Sequence, residues 1–284
     1  MTKLAGDYKA MTASILLEDR SVIDVSGPEA GKFLHNLVTN DVMSLSPGQA
    51  CFAALLSPQG KIQADFFIFM QAADSYFLDC PKQLVLDLIQ RLKLYKLRAP
   101  VTINDRSAEL CVYAFPDALD EPSKLMAISA RDPRASFGWR VIASKNSIPS
   151  SGTFASYETR RILLGLPSGG VDFVYGDAFP HETNMDRLSG VDFNKGCYVG
   201  QEVVSRMKHR GEARKRITPY LATPQAPPPG TLINAEDIEI GVTGSHTGAA
   251  GLAMIRRDRL AQAIETGKTP MADQMRIDFQ LEPS

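Results

Sequence analysis

The segment Lys195-Gly-Cys-Tyr-Val-Gly-Gln-Glu202 concentrates residue types that do chemistry. Gly196 and Gly200 bracket Cys197 and Tyr198, and glycine permits tight turns and close approach of a ligand to the backbone. The run from Gly200 to Lys208 reads as a helix, which puts Cys197 just ahead of a helix N-terminus. The partial positive charge there favours a thiolate, and Lys195 is close enough in sequence to add to it. Cys197 is therefore the candidate functional thiol, with Lys195, Gly196, Tyr198, Gly200, Gln201 and Glu202 as its motif. The plainer reading is a small buried cysteine in a glycine-rich turn, the usual fate of a free thiol. A Cys–His protease pair would need His35, His181, His209 or His246 brought in by the fold, because no histidine is near in sequence.

The other cysteines, at 51, 80 and 111, lie in apolar, strand-like runs, and no C-x-x-C occurs. A zinc ribbon, a cluster-binding loop or a thioredoxin motif needs that spacing, so no metal site is expected. Four cysteines in 284 residues are too few for a disulfide framework and fit a reducing compartment. Met1 to Ala13 lacks the apolar stretch of a signal peptide, and no run reaches the ~18 apolar residues of a membrane span. These features lead to the expectation of a cytoplasmic protein with no membrane partner.

Charge supplies a second signal. Lys plus Arg is 31 and Asp plus Glu 32, which excludes a uniformly basic nucleic-acid binder. Locally, Arg206, Lys208, Arg210, Arg214, Lys215 and Arg216 fall within eleven positions, with Glu212 the only acid. Such a run suits polyanions, either carboxylates or phosphates, or it is a solvated helix end that complements the dipole. Arg91, Lys93, Lys96 and Arg98 close a second helix, and there the dipole suffices as an explanation.

The elements that must hold these residues read as follows. Ser14–Val25 is strand material, and Ser26-Gly-Pro-Glu29 has the spacing of a capping box before a helix through Leu37. Cys51–Leu56 and Ile62–Met70 form a hairpin around Ser57-Pro-Gln-Gly60, and Tyr76–Leu78 adds a strand. Pro81 opens an amphipathic helix with Leu84, Val85, Leu88, Ile89, Leu92 and Tyr95 on its apolar face. Strands follow at 101–103, 110–115, 125–128 and 138–143, then a short helix over 157–164. Hairpins with interspersed helices argue for an α+β class. Thr223 to Gly230 holds four prolines and reads as a linker, and the glycine-rich tail after it suggests a small barrel. Trp139 reads as core, and His246 as a turn residue.

The motif Lys195–Glu202 resembles the signature of the YgfZ family of folate-binding proteins, which includes mitochondrial factors that help mature iron–sulfur proteins. Phe179-Pro-His-Glu-Thr-Asn184, the run Val203 to Gly211, Leu37-Val-Thr-Asn-Asp41-Val and Ser57-Pro-Gln-Gly-Lys61 also resemble that family, and more distantly the glycine-cleavage T-proteins. The resemblance covers essentially the whole chain. It implies a three-part T-protein-like fold around a central cavity, divided as 1–145, 146–222 and a C-terminal β-barrel at 223–284. It implies tetrahydrofolate, or a one-carbon derivative, as ligand. It also implies a role in assembly or repair of iron–sulfur clusters, extending in bacteria to clients in tRNA modification. Partners would then be folate, iron–sulfur client or carrier proteins, and tRNA if the basic run meets it.

On this basis Asp41, Asp65, Asn184 and Arg206 are candidate folate contacts, with Cys197 at the cavity's edge. One departure stands out. Alignment with T-proteins sets Ala64 at their catalytic carboxylate, with Asp65 one residue on and so on the opposite strand face. Alanine cannot act as general acid or base, which counts against aminomethyl transfer. A one-carbon transferase and a tRNA-binding module remain as alternatives.

Overall fold

The computed structural model describes residues 13–116, 127–134, 137–209, 211 and 213–280. Strand β1 (Ile15–Leu16) and β2 (Arg20–Ser26) lead into α1 (Ala30–Leu37). A meander of β3 (Ala50–Leu56), β4 (Ile62–Ala72) and β5 (Ser75–Pro81) follows, then α2 (Val85–Lys96), β6 (Thr102–Asp105) and β7 (Leu110–Phe115). Next come β8 (Ala127–Arg131), β9 (Trp139–Ser144), α3 (Phe154–Leu163) and α4 (Gln201–His209). The C-terminal part holds β10 (Lys215–Thr223), β11 (Leu232–Ala235), β12 (Ile238–Thr247), β13 (Ala250–Arg256), α5 (Arg257–Glu265), β14 (Met271–Ala272) and β15 (Met275–Phe279).

These strands make two antiparallel sheets, ordered β3-β4-β5-β2-β6 and β1-β7-β9-β8, and a closed barrel, β10-β13-β12-β11-β14-β15. The fold is α+β, as expected. The Ser14–Val25 run is split by a turn at Glu18-Asp19, and its two halves join different sheets. Strand alternation sorts β4 into two faces. Ala64, Phe66 and Ile68 pack under α1 and α2 with Phe33, Leu34, Leu88 and Leu92. Phe67 and Phe69 face the other way, into a core shared with Val112, Ile142, Tyr157, Ile162 and the barrel's Leu252. The second core joins all three layers. Asp65 belongs to its side, and that is what brings the residue to a site.

Three expectations are corrected. The Ser26–Glu29 capping box does not form, because α1 starts at Ala30 with no side-chain cap. The barrel begins at Lys215 rather than at 223, since Tyr220 to Thr223 pair with β15 and close it. The proline-rich run therefore connects two barrel strands. His246 lies on β12 and is no turn residue. Part of the 125–128 strand and Arg210 lie outside the described residues.

Candidate functional site

The motif forms an irregular loop ahead of α4, and it is anchored at several points. Lys195 is buried, and its ammonium donates to the carbonyls of His35, Val38 (2.7 Å) and Asn40 (2.8 Å). These groups end α1, where unpaired carbonyls gather the negative end of the helix dipole. Asp192 folds the loop by accepting from the N–H groups of Asn194 (2.7 Å) and Lys195 (3.2 Å), and its own N–H donates to Thr39 (2.9 Å). Tyr198 packs inward, and burial pushes its phenol up to about 12. Val199 leans on the core under α1. Gly200 has φ +80° and would set a Cβ 2.6 Å from the Ser57 carbonyl oxygen, so only glycine lets the loop meet the β3–β4 turn. Gly196 has no such demand. Gln201 and Glu202 open α4, and Glu202 pairs with Arg206 at 2.5 Å in solvent.

Between these anchors Cys197 is exposed, unlike buried Cys51 and Cys80 and half-buried Cys111. The expected help from Lys195 is corrected, because its ammonium is committed to the end of α1. Burial draws that ammonium down to about 8, against the pull of Asp41, Cys51 and Asp192. Replacing Lys195 with Met should strip the α1 carbonyls of their partner and cost about 2 kcal/mol. Hydrogen exchange across 192–199 should then speed at least about tenfold, and unchanged exchange would remove the anchor role. The unfolded chain keeps this proton to about pH 10.4. Between about 8 and that value the folded state binds fewer protons, so the Lys195 contribution to stability rises with pH. The gap between wild type and Lys195→Met should widen across that window and stay flat below it.

The second feature is a cavity of about 550 Å³ between the two sheets and α3. Phe52, Asp65, Phe67 and Arg20 come from the first sheet, Arg134 and Arg140 from the β8–β9 region, and Tyr157, Glu158 and Arg161 from α3. Tyr175 completes the wall and donates its hydroxyl to Asp65 Oδ1. Burial and the Asp65 charge push that phenol up, so it remains a donor. The guanidiniums of Arg140 and Arg134 lie 4.1 and 4.7 Å from the Phe67 ring centroid. All of the inner cations are paired: Arg20 and Arg140 with Asp79 (2.7 and 2.5 Å), Arg134 with Asp132 (2.9 Å) and Arg161 with Asp172 (3.0 Å). Arg134 and Arg140 hold the Asp132 carboxyl below the usual range although burial opposes it.

Of the four candidate folate contacts, only Asp65 reaches this cavity. Ala64 faces the opposite core, so the cavity keeps a carboxylate even though the aligned position is alanine. Asp41 instead turns the chain after α1, accepting from the N–H groups of Met43 (2.8 Å) and Ser44 (3.2 Å). Asn184 ties its loop to β10, donating to the Ile217 carbonyl at 2.9 Å. Arg206 is on the exposed face of α4. No motif residue lines the cavity, so Cys197 is not at its edge. The basic run is dispersed. Arg216 is buried against Asp186 (2.9 Å), and Lys208 stands 3.8 Å from the Phe193 ring centroid in a separate cleft. Among the described residues no group of three or more His, Cys, Asp or Glu could hold a metal ion.

Apart from Asp65, the charges in and behind the cavity wall were missed by reading the sequence, yet they left a trace. Asp79 interrupts Tyr76–Cys80, and Arg140 interrupts Trp139–Ala143. A charge inside an apolar strand needs a buried partner.

Residues 6–119 match the GCVT N-terminal domain family and residues 214–280 the CAF17 C-terminal β-barrel domain. The glycine cleavage system aminomethyltransferase T of Bartonella henselae shares the fold, with a TM-score of 0.75 at 15% identity over 96% of this chain and 86% of that one. The mitochondrial iron–sulfur cluster assembly factor IBA57 of Homo sapiens is 31% identical over 88% of this chain and 79% of its own length. The IBA57 homologue of Neurospora crassa is 30% identical over 93% and 74%. That of Mycosarcoma maydis is 34% identical over 88% of this chain, which spans 66% of it. These relatives are named as mitochondrial, which overturns the cytoplasmic expectation and points to the mitochondrion. The resemblance to YgfZ proteins narrows in the same way. The chain belongs to the IBA57 family of iron–sulfur cluster assembly factors.

Proposed function

We propose that this protein assists iron–sulfur cluster assembly by presenting Cys197 to a cluster on a client or carrier protein, and that its cavity holds a tetrahydrofolate. The observation that carries the first part is the exposure of Cys197 alone among four cysteines, on a loop anchored on both sides. A thiolate is a soft ligand suited to iron. Clusters take four such ligands, and the other cysteines here are wholly or partly buried. The partner would supply the rest. Segment 146–222 then serves both sites, with α3 and 167–175 walling the cavity and 192–200 carrying the thiol.

The folate reading is supported by the cavity's size, which is within the usual range for small-molecule sites, and by its lining of aromatic faces beside Asp65 and Glu158. Bound there, the folate would supply one-carbon chemistry. Tyr175 would fix Asp65, and Phe67 and Tyr157 would offer flat contact. Client enzymes of tRNA modification belong to this proposal. Direct tRNA contact has little support, since Arg216 is buried and Arg206 is paired.

Cys197→Ser is expected to bind tetrahydrofolate like wild type by calorimetry, because the thiol does not line the cavity. The same variant should fail to restore cluster-enzyme activity in cells lacking the protein. Full restoration would remove the thiol from the function. Asp65 in the cavity favours a second reading, folate-dependent transfer. Turnover of an aminomethyl-folate adduct that is lost in Asp65→Asn would establish it.

A further inference from the structure

Helix α2 has two unlike faces. Val85, Leu88, Ile89 and Leu92 are buried against the first sheet. On the opposite side Leu86, Leu94 and Leu97 are 72%, 75% and 86% exposed. With 3.6 residues per turn Leu86 and Leu94 fall within about 80° of each other, two turns apart with exposed Gln90 between them, and Leu97 follows directly after the last turn, so the three mark the outer side of the helix and its end. Apolar residues scattered singly on a surface need no explanation, but an aligned set does. Leu97 also ends the helix at φ 49°, a conformation normally left to glycine at this position. The chain thus holds a strained backbone where it displays its most exposed leucine.

Bases flank these leucines. Arg91, Lys93, Lys96 and Arg98 stand against one acid, Asp87, and Arg91 occupies that acid at 2.6 Å, while Lys82 before the helix lines the cavity instead. The helix dipole accounts for bases in the last turn but not for the leucines among them.

We propose that the outer face of α2 is a peripheral membrane-binding surface that lays its leucine ridge on an anionic bilayer. The ridge is convex, as suits a deformable layer of headgroups. Apolar side chains inside a border of flexible bases are the two signals that surface binding needs together, since either alone is weak. The bases can reach lipid phosphates while their stems stay beside the leucines. Among the described residues no helix is long and apolar enough to cross a membrane, so the contact is superficial. The proposal departs from the expectation of no membrane partner, and it is independent of the roles given to Cys197 and the cavity.

Co-sedimentation of the full chain with vesicles tests it, using phosphatidylcholine alone and phosphatidylcholine with about one-third phosphatidylglycerol. Binding to the anionic vesicles at low salt is expected, with little to the neutral ones. Leu86→Ser, Leu94→Ser and Leu97→Gly together should lower the partition coefficient about tenfold. Leu97→Gly alone should raise the melting temperature while weakening binding, which separates the surface from the fold. No binding to anionic vesicles would overturn the proposal and assign the ridge to a protein partner. Undiminished binding by the triple variant would overturn it as well, leaving charge adsorption only.

Discussion

Brief alkylation near pH 7 is expected to modify Cys197 at least about a hundredfold faster than Cys51 or Cys80. Two effects act in the same direction. Cys197 is open to solvent, whereas Cys51 and Cys80 are within the sheet core. Burial also pushes both core thiols up to about 12, so at neutral pH only about one in 10⁵ is a thiolate. Cys111 is half-buried and raised by the same cause, and it should label at an intermediate rate. Mass spectrometry of the four cysteine peptides after a limited dose reads the order. Equal labelling, or an unmodified Cys197, would sink the thiol role. The expectation differs from a sequence-based one in its cause. Lys195 was placed beside the thiol by its number, but the side chain runs to the end of α1.

What could be read from residues alone follows the range of the interactions. The β3–β4 hairpin and α2 were legible because their signals, a turn tetrapeptide and a 3.6-residue period, act over a few positions. The glycine at 200 was legible as a close approach, but not what it approaches, since Ser57 is far away in sequence. The cavity was the least legible part. Its walls come from residues 20, 65, 134, 140, 157 and 175, which no local pattern links. Arg206 illustrates the opposite error, because a base in a dense basic run proved to be half of an exposed i,i+4 pair. The leucines of α2 fell between the two cases. The period showed an apolar face, but which leucines were left outside it depended on how the helix met the sheet.

Asp79→Asn should cost about 3–5 kcal/mol of folding stability, a large share of the ~5–15 kcal/mol typical of a domain. Asp79 is fully buried on β5. One carboxylate oxygen accepts from Arg20 Nε at 2.7 Å, and the other accepts from Arg140 Nε and Nη2 at 2.8 and 2.5 Å. Asparagine keeps the shape and one acceptor but removes the charge, which leaves two buried guanidiniums in the cavity wall without the carboxylate they share, and only the more distant Asp132, Asp65 and Asp19 charges near them. Asp132 cannot take over, because it lies 3.6 Å from Arg140 and is already held by Arg134. A denaturant titration measures the loss, and a change below about 1 kcal/mol would mean that water or rearrangement replaces the carboxylate. The double variant Asp79→Asn/Arg140→Met should recover part of it, since removing a buried charge together with its partner is far cheaper than orphaning it. Recovery need not extend to the cavity. Arg20 and Asp79 belong to the first sheet and Arg140 to the second, so this cluster fixes the spacing of the two walls against Phe67. A double variant that regains stability yet binds no folate would mean that the ion cluster serves the cavity's shape more than the fold's energy.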